Sequence, residues 1–246
     1  VNVLPPSVAD FSDDELLELY AADVRPGAWL RVNFVTTLDG SASAAGTTAS
    51  LGGPDDLRVF DLLRRVADVV LVAAGTVRDE GYGPMVLHDD DVTWRRARGK
   101  PDHPVFAIVS ASLSLDPTSR VFTAAPVRPI VLTSSSAAAS PNGEALAPVA
   151  DVVPCGDDAV DPLLLRHALV SRGHTTIHCE GGPSFFGALV AADVVDELTL
   201  TIDPTLEGGA GPRITRGTAP DLRRMRPTHV LRGDGDVLLT RYVRAR

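Results

Sequence analysis

Apolar and polar positions change rhythm in a regular way along this chain. Trp29 to Val35 is an apolar, β-prone run. In "PDDLRVFDLLRRV", Pro54 suits a first helical turn and Asp55 and Asp56 suit a helix's positive end. Phe60, Leu63 and Ala67 then recur at helical spacing. "DVVLVA" (68–73), "VFAIV" (105–109) and "PIVLT" (129–133) are short unbroken apolar runs, the pattern of strands covered on both faces. "DPLLLRHALVSRG" predicts a helix with Asp161 as its cap, Pro162 in the first turn and Gly173 just past the end. "TTIHC" predicts a strand and Pro183 to Val190 a helix. "DELTLTI" and "VLLTRYV" alternate more cleanly and suit antiparallel strands. Residues 133–150, rich in small side chains, predict a surface connection with a short helix. There is no internal repeat.

Strands alternating with helices imply an α/β protein with a mostly parallel sheet. Ligands in such folds bind outside the carboxyl ends of the strands, so the residues just after each strand carry the functional interest. Four junctions qualify. In 33–53 a strand runs into Asp39-Gly40, a common turn dipeptide, but the loop beyond is long, polar and glycine-bearing. In "VVLVAAGTVRDEGYGP", Gly75 admits close backbone approach, and Thr76 either faces a phosphate or ribose or caps its own helix. In "HCEGGPSFFGALV", Gly181-Gly182 precedes a helix start, an arrangement that suits a pyrophosphate. Glu180, at the strand end, either serves function or caps that helix. "TLEGGAGPRI" (205–214) is either a plain connection or the wall of a site.

Composition narrows the classes. The chain has 246 residues, long enough for a substantial core in one large or two small domains, and 44% hydrophobic with 22% charged residues is ordinary for a globular protein. A formal net charge of −9 argues against nucleic acid as a partner. The basic stretch "WRRARGK" (94–100) is either a solvated loop or a local anion site. No apolar run has membrane-spanning length, and the acidic N-terminal stretch lacks the features of a signal peptide, so a cytoplasmic protein is expected. Cys155 and Cys179 have no metal-ligand spacing, and no HExxH or GxSxG occurs, so neither a metal nor a serine hydrolase is expected.

"NFVTTLDG", "LLRRVADVVLVAAGTVRDEGYGP" and "EGGPSFFGALVAADVVDELTLTIDPTLEGGAG", in this order and spacing, resemble the reductase domain of riboflavin-biosynthesis RibD proteins. The resemblance extends over nearly the whole chain from Trp29. It implies a dihydrofolate-reductase-like fold, three-layer α/β/α around a mostly parallel mixed central sheet. One reductase domain over 1–246 is expected, with 1–28 as an extension packed on or near it. The HxE…PCxxC zinc motif is absent, so no deaminase domain is expected.

The resemblance further implies NADPH as cofactor, held by Val35, Ser50, Gly75, Thr76, Glu80, Ser110, Ala111, Gly181, Gly182, Pro183, Ser184, Phe185 and Phe186. It places Thr48, Arg64 and Glu180 at the substrate, with Asp39 and Glu180 as candidate catalytic residues that stabilise a cation or orient hydroxyls. Arg64 suits a substrate phosphate, or else is a surface residue. The implied reaction reduces the ribose C1′ of 5-amino-6-ribosylaminouracil 5′-phosphate, a small-molecule substrate, and a homodimer is expected. Two alternatives stand beside it: reduction of a pterin-like substrate such as dihydrofolate, or NADPH binding without turnover. The chain departs from the family's usual residues at Ser41, at Ser50 to Gly53 and at Leu87, all on the substrate side.

Overall fold

A computed structural model describes residues 4–21, 27–44, 46–48, 50–217 and 222–245. Parts of the N-terminal extension (1–3 and 22–26), and Ala45 and Ala49 of the long loop, lie outside the described residues. The elements run α1 (Asp13–Ala21), β1 (Trp29–Thr37), α2 (Pro54–Val66), β2 (Val69–Ala73), α3 (Ala74–Asp79), α4 (Asp89–Arg96), β3 (Val105–Val109), α5 (Arg120–Thr123) and β4 (Ile130–Thr133). They continue α6 (Ser135–Ala138), α7 (Pro141–Leu146), β5 (Asp151–Pro154), α8 (Pro162–Val170), β6 (Thr176–Cys179), α9 (Pro183–Ala191), β7 (Glu197–Asp203), β8 (Met225–Arg232) and β9 (Leu238–Arg244). The expected α/β fold with mixed, mostly parallel strands is what is found. Contacts divide the chain into two compact units, Arg64–Gly182 and Val1–Leu63 with Pro183–Arg246.

In the Arg64–Gly182 unit the strands lie in the order β5-β4-β3-β2-β6, every pair parallel. Val70, Val72, Phe106, Ile108 and Val131 meet Leu146 and Ala150 in one core. Each such aliphatic side chain taken from water stabilises by about 1.5–3 kcal/mol, which is why these runs need no polar alternation. Helix α8 begins and ends as its sequence predicts. Asp161 accepts from the Leu163 and Leu164 amides, Pro162 is its first residue, and Gly173 sits at φ +85°.

In the other unit β1 and β7 are parallel, while β9 pairs antiparallel with both β7 and β8. The antiparallel expectation therefore holds for β7 against β9 but not for β7 against β1. Strand β8 escapes prediction because Pro227 interrupts it; the ladder shifts between Pro227 and His229, which an edge strand tolerates. The buried face of α2 is Val59, Leu62 and Leu63, with Phe60 only half-buried.

The basic stretch 94–100 is part helix and part exposed turn: residues 96–99 are exposed, as a solvated loop would be, whereas Arg95 is buried. Arg95, in the last turn of α4, is fully buried, and its guanidinium donates to the carbonyls of Pro101 (2.6 Å), Arg65 (2.8 Å) and Ala67 (2.7 Å). It thereby satisfies carbonyls at the end of α2 that no helix amide can reach. Arg98 lies over the Trp94 ring at 3.8 Å, and Lys100 pairs with Asp68 at 2.6 Å.

Candidate active site

Parallel pairing brings two of the four expected junctions, together with Ser110-Ala111, to one edge of the Arg64–Gly182 unit. Strand β2 ends at Ala73 opposite Val109, the end of β3, and Cys179 of β6 lies opposite Leu71. The pairing continues past β6, since Glu180 N donates to Leu71 O (3.0 Å) and Ala73 N donates to Gly181 O (2.8 Å). Gly75-Thr76, Ser110-Ala111 and Glu180–Gly182 therefore follow the carboxyl ends of three adjacent strands.

The glycines there have distinct physical reasons. Gly181 holds φ +90°, and the Gly181-Gly182 peptide is cis. A side chain on Gly182 would collide with Thr76 Oγ1. At Gly75 the space a side chain would take is open, leaving bare backbone beside it. Thr76 does not cap α3; the helix starts two residues earlier, with Ala73 in the cap position and no side-chain bond. Ser110 is buried and accepts from the Leu113 amide at 3.0 Å, while Ala111 and Glu80 are exposed.

Glu180 is the best-held group on this edge. Its side chain is 2% exposed, and Arg64 grips it bidentately, Nε to Oε1 at 2.6 Å and Nη2 to Oε2 at 2.7 Å. The Tyr82 hydroxyl donates to Oε2 at 2.7 Å, and His178 Nε2 lies 3.5 Å from Oε1. The helix-capping alternative for Glu180 falls, because these partners occupy its oxygens. Burial alone would raise its pKa, but the Arg64 charge and hydrogen bonds, His178 and the Tyr82 hydroxyl outweigh it and hold the carboxyl below its ordinary range. Burial, and then the Glu180 charge, push the Tyr82 phenol far up, so it stays protonated and donates. Tyr82 also stacks on Phe106 at 6.0 Å, and Arg64 lies 5.8 Å from its ring centre. Sequence reasoning missed Tyr82; its only signal was an aromatic between two glycines after α3.

Arg64 is 22% exposed at its side chain, and Tyr82 is half-buried. Glu180 thus fixes the plane of the guanidinium on a partly exposed arginine, a geometry suited to phosphate or hydroxyl oxygens.

The remaining expected residues lie in the other unit. Asp39 is exposed, yet its carboxylate accepts from the Thr37 hydroxyl (2.5 Å) and the amides of Gly208 (2.7 Å) and Glu207 (3.2 Å). Those bonds, the Thr37 hydroxyl first, hold it at about 2. At neutral pH it has no proton to donate, and an anionic, orienting part is what it can play. The stretch 205–214 is tied to the loop that carries Asp39. Ala42 N donates to Pro212 O (2.6 Å), Leu38 N donates to Thr205 O (2.9 Å), and Gly211 packs against Ser41 Oγ where no side chain fits. The two glycine-bearing loops are laced together. Val35 is half-buried opposite Thr201, and Ser50 is exposed in a turn. Thr48 is half-buried with its carbonyl accepting from Leu51 N. On α9, Ser184 is exposed and Phe185 half-buried, whereas Phe186 is buried and stacks on Phe34 at 5.2 Å. Among the described residues no three His, Cys, Asp or Glu side chains gather as a metal site would require, and no helix is long and apolar enough to cross a membrane.

A parallel α/β unit with bare glycine backbone and a clamped guanidinium at its carboxyl edge has the layout of a nucleotide-dependent α/β enzyme. The chain belongs to the RibD C-terminal domain family, which matches residues 28–239. It is a reductase of riboflavin biosynthesis, in a family that works with a nicotinamide cofactor on a small pyrimidine. It is 30% identical over 183 residues to a 2,5-diamino-6-ribosylamino-4(3H)-pyrimidinone 5′-phosphate reductase of Methanothermobacter thermautotrophicus, covering 74% of this chain and 80% of that one. The reductase of the same name from Archaeoglobus fulgidus is 26% identical over 216 residues, 87% of this chain and 97% of that one. A crystal structure of a pyrimidine reductase-like protein from Corynebacterium diphtheriae superimposes with a TM-score of 0.82 at 26% identity, covering 89% of this chain and 92% of that one.

Proposed function

We propose that this protein transfers a hydride from NADPH to the ribosyl C1′ of a 6-ribosylaminopyrimidine 5′-phosphate, converting the ribosyl group to a ribityl chain. The observation that carries the reading is the carboxyl edge of the Arg64–Gly182 unit, taken with the family match over 28–239. The bound nicotinamide supplies the hydride. Gly75, Thr76, Ser110, Ala111, Gly181 and Gly182 hold the cofactor through backbone and small side chains. Open space at Gly75 fits that role, because phosphate oxygens can reach main-chain amides there. Arg64, kept rigid by Glu180, binds an anionic or hydroxyl oxygen of the substrate.

The substrate in its ring-opened form is an imine at C1′. Hydride addition to C1′ and one proton to the attached nitrogen complete the reduction. Two ring forms belong to this class, the aminouracil and the 2,5-diaminopyrimidinone that the archaeal relatives' name carries. Arg78, exposed on α3 with Nη1 donating to Ser114 O at 3.2 Å, is the cation assigned to the cofactor's 2′-phosphate. The functional unit is proposed to be a homodimer, to be read by sedimentation.

The test is NADPH oxidation by the purified chain with each ribosylaminopyrimidine phosphate and, separately, with dihydrofolate. Turnover of either pyrimidine supports the reading. Turnover of dihydrofolate alone replaces it with a pterin reductase, and NADPH binding without turnover of any of the three leaves a binding protein. No binding of NADPH overturns it entirely.

A further inference from the structure

The carboxylate of Glu180 meets three side chains, Arg64 from α2, Tyr82 from beyond α3 and His178 from β6, all within the Arg64–Gly182 unit. Of these, Tyr82 is mounted on the core. Gly81 holds φ +66°, which turns the chain out of α3, and the Tyr82 amide donates to Val77 O at 3.0 Å. Its ring lies within 12° of parallel to that of Phe106, itself packed in the core with Val70 and Ile108. The hydroxyl therefore reaches Glu180 Oε2, at 2.7 Å, from a rigid base. A bidentate pair fixes each group's plane only relative to the other, and the last torsion of a glutamate is broad. A third donor held by the core sets where the carboxylate, and with it the guanidinium, comes to rest. Tyr82 does not serve as the acid of the reduction. Losing its proton would set a phenolate 2.7 Å from a carboxylate. Burial, and then the Glu180 charge, with Glu80 adding to it, keep the phenol protonated.

Resting on the function proposed above, we infer that Tyr82 is a positioning residue for the reduction: its hydroxyl sets the Glu180 carboxylate, and through it the plane of the Arg64 guanidinium that takes the substrate oxygen. A carboxylate grips a guanidinium in this way only while it is ionised. Burial raises the Glu180 carboxyl, and the Arg64 charge and hydrogen bonds, His178 and the Tyr82 hydroxyl bring it below its ordinary range. Cys179, its neighbour in the chain, is kept a neutral thiol by burial, at about 12. Without the Tyr82 hydroxyl one of the three lowering partners is gone. Glu180 then takes up its proton at a higher pH, and Arg64 loses its hold sooner as pH falls.

The test uses the full chain and Tyr82→Phe, which keeps the ring and its stacking and removes only the hydroxyl. For both proteins kcat/KM with the ribosylaminopyrimidine 5′-phosphates is followed against pH at saturating NADPH. The Glu180 carboxyl is titrated by NMR of isotope-labelled glutamate, its signal assigned by its loss in Glu180→Gln. A hydrogen bond to a charged group predicts that the acid limb and the Glu180 titration both move up by about 1–2 pH units in Tyr82→Phe. The variant then loses about 10- to 100-fold at the acid end, falling to about threefold at the alkaline end, with NADPH affinity within about twofold. Added to Glu180→Gln, Tyr82→Phe should cost no more than about twofold further, since the group it acts through is gone. An equal loss at every pH, an unmoved Glu180 titration, or costs that add in the double variant overturn the inference while leaving the reductase reading intact. If the wild type turns over neither phosphate, the reductase reading fails and the Glu180 titration alone decides: upward movement upholds the inference and none overturns it. Fluorotyrosine in place of tyrosine, a stronger donor, should move the Glu180 titration down, and that measurement decides if Tyr82→Phe does not fold.

Discussion

Glu180 and Glu197 are both buried carboxylates gripped by arginine, one in each compact unit, and they differ in what their partners do next. Glu197 opens β7, fully buried, with Arg31 Nε at 2.5 Å, Arg241 Nε at 2.9 Å and Trp29 Nε1 at 2.7 Å. Both arginines turn inward, Arg31 donating to Tyr20 O (2.8 Å) and Arg241 to Leu19 O (3.3 Å). Those are last-turn carbonyls of α1, so the network pins a helix. Glu180 follows the other end of its strand, and its arginine reaches solvent. A buried carboxylate is therefore no sign of function on its own. The sign is a strand's carboxyl end together with a partly exposed cation held by the carboxylate.

The largest expected effect tests the structural member of this pair. Glu197→Gln leaves two buried guanidinium groups without their anion and should cost about 3–5 kcal/mol in urea denaturation. A cost no greater than that of Glu180→Gln would erase the distinction. Glu180→Gln itself should lower kcat by about 10²-fold, close to 2.7 kcal/mol of barrier, with NADPH affinity held within about twofold. Parallel losses of affinity and fold stability would reduce Glu180 to a second Glu197. Gly182→Ala should destabilise by about 1–3 kcal/mol through overpacking against Thr76, and pairing it with Thr76→Ala should recover most of that. No recovery would mean that close approach is not why the position is glycine.

The smallest effect concerns His229, which lies beside the Glu197 network. Burial, and then the Arg241 charge, pull its pKa from the usual 6.5 to about 4. The unfolded chain takes up this proton near 6.5 and the folded chain only near 4, so stability is full above that window and falls as pH drops through it. Partial exposure keeps the contribution to about 1 kcal/mol or less. His229→Asn should flatten the stability profile between these two pH values, and an unchanged slope would show that the ring titrates normally. The Glu180 and Glu197 carboxyls, both lowered, add stability above the ordinary glutamate range that is lost as pH falls further.

Much of the scaffold was legible because the physics behind it is local. The unbroken runs of β2, β3 and β4 announce buried parallel strands, and Asp161, Pro162 and Gly173 bracket α8 by capping rules. The two edge glycine junctions were legible for the same reason, since a strand end followed by glycine is a backbone statement. Tyr82 and Arg95 were not. Their partners are Glu180 and the end of α2, which lie 98 and 28 residues away in sequence. Nothing in a hydrophobic period marks an arginine that is buried because it collects carbonyls.

The order of residues alone therefore settles where the buried parallel strands and the capped helix α8 form, which strand ends carry glycine, and that Glu180 stands at such an end. Whether Glu180 caps a helix or clamps an arginine, and that Arg95 is buried within an otherwise largely exposed basic stretch, are decided only when the chain packs. Period, capping and turn preference act within a few residues, whereas hydrogen-bond partnership and burial depend on which distant segments meet.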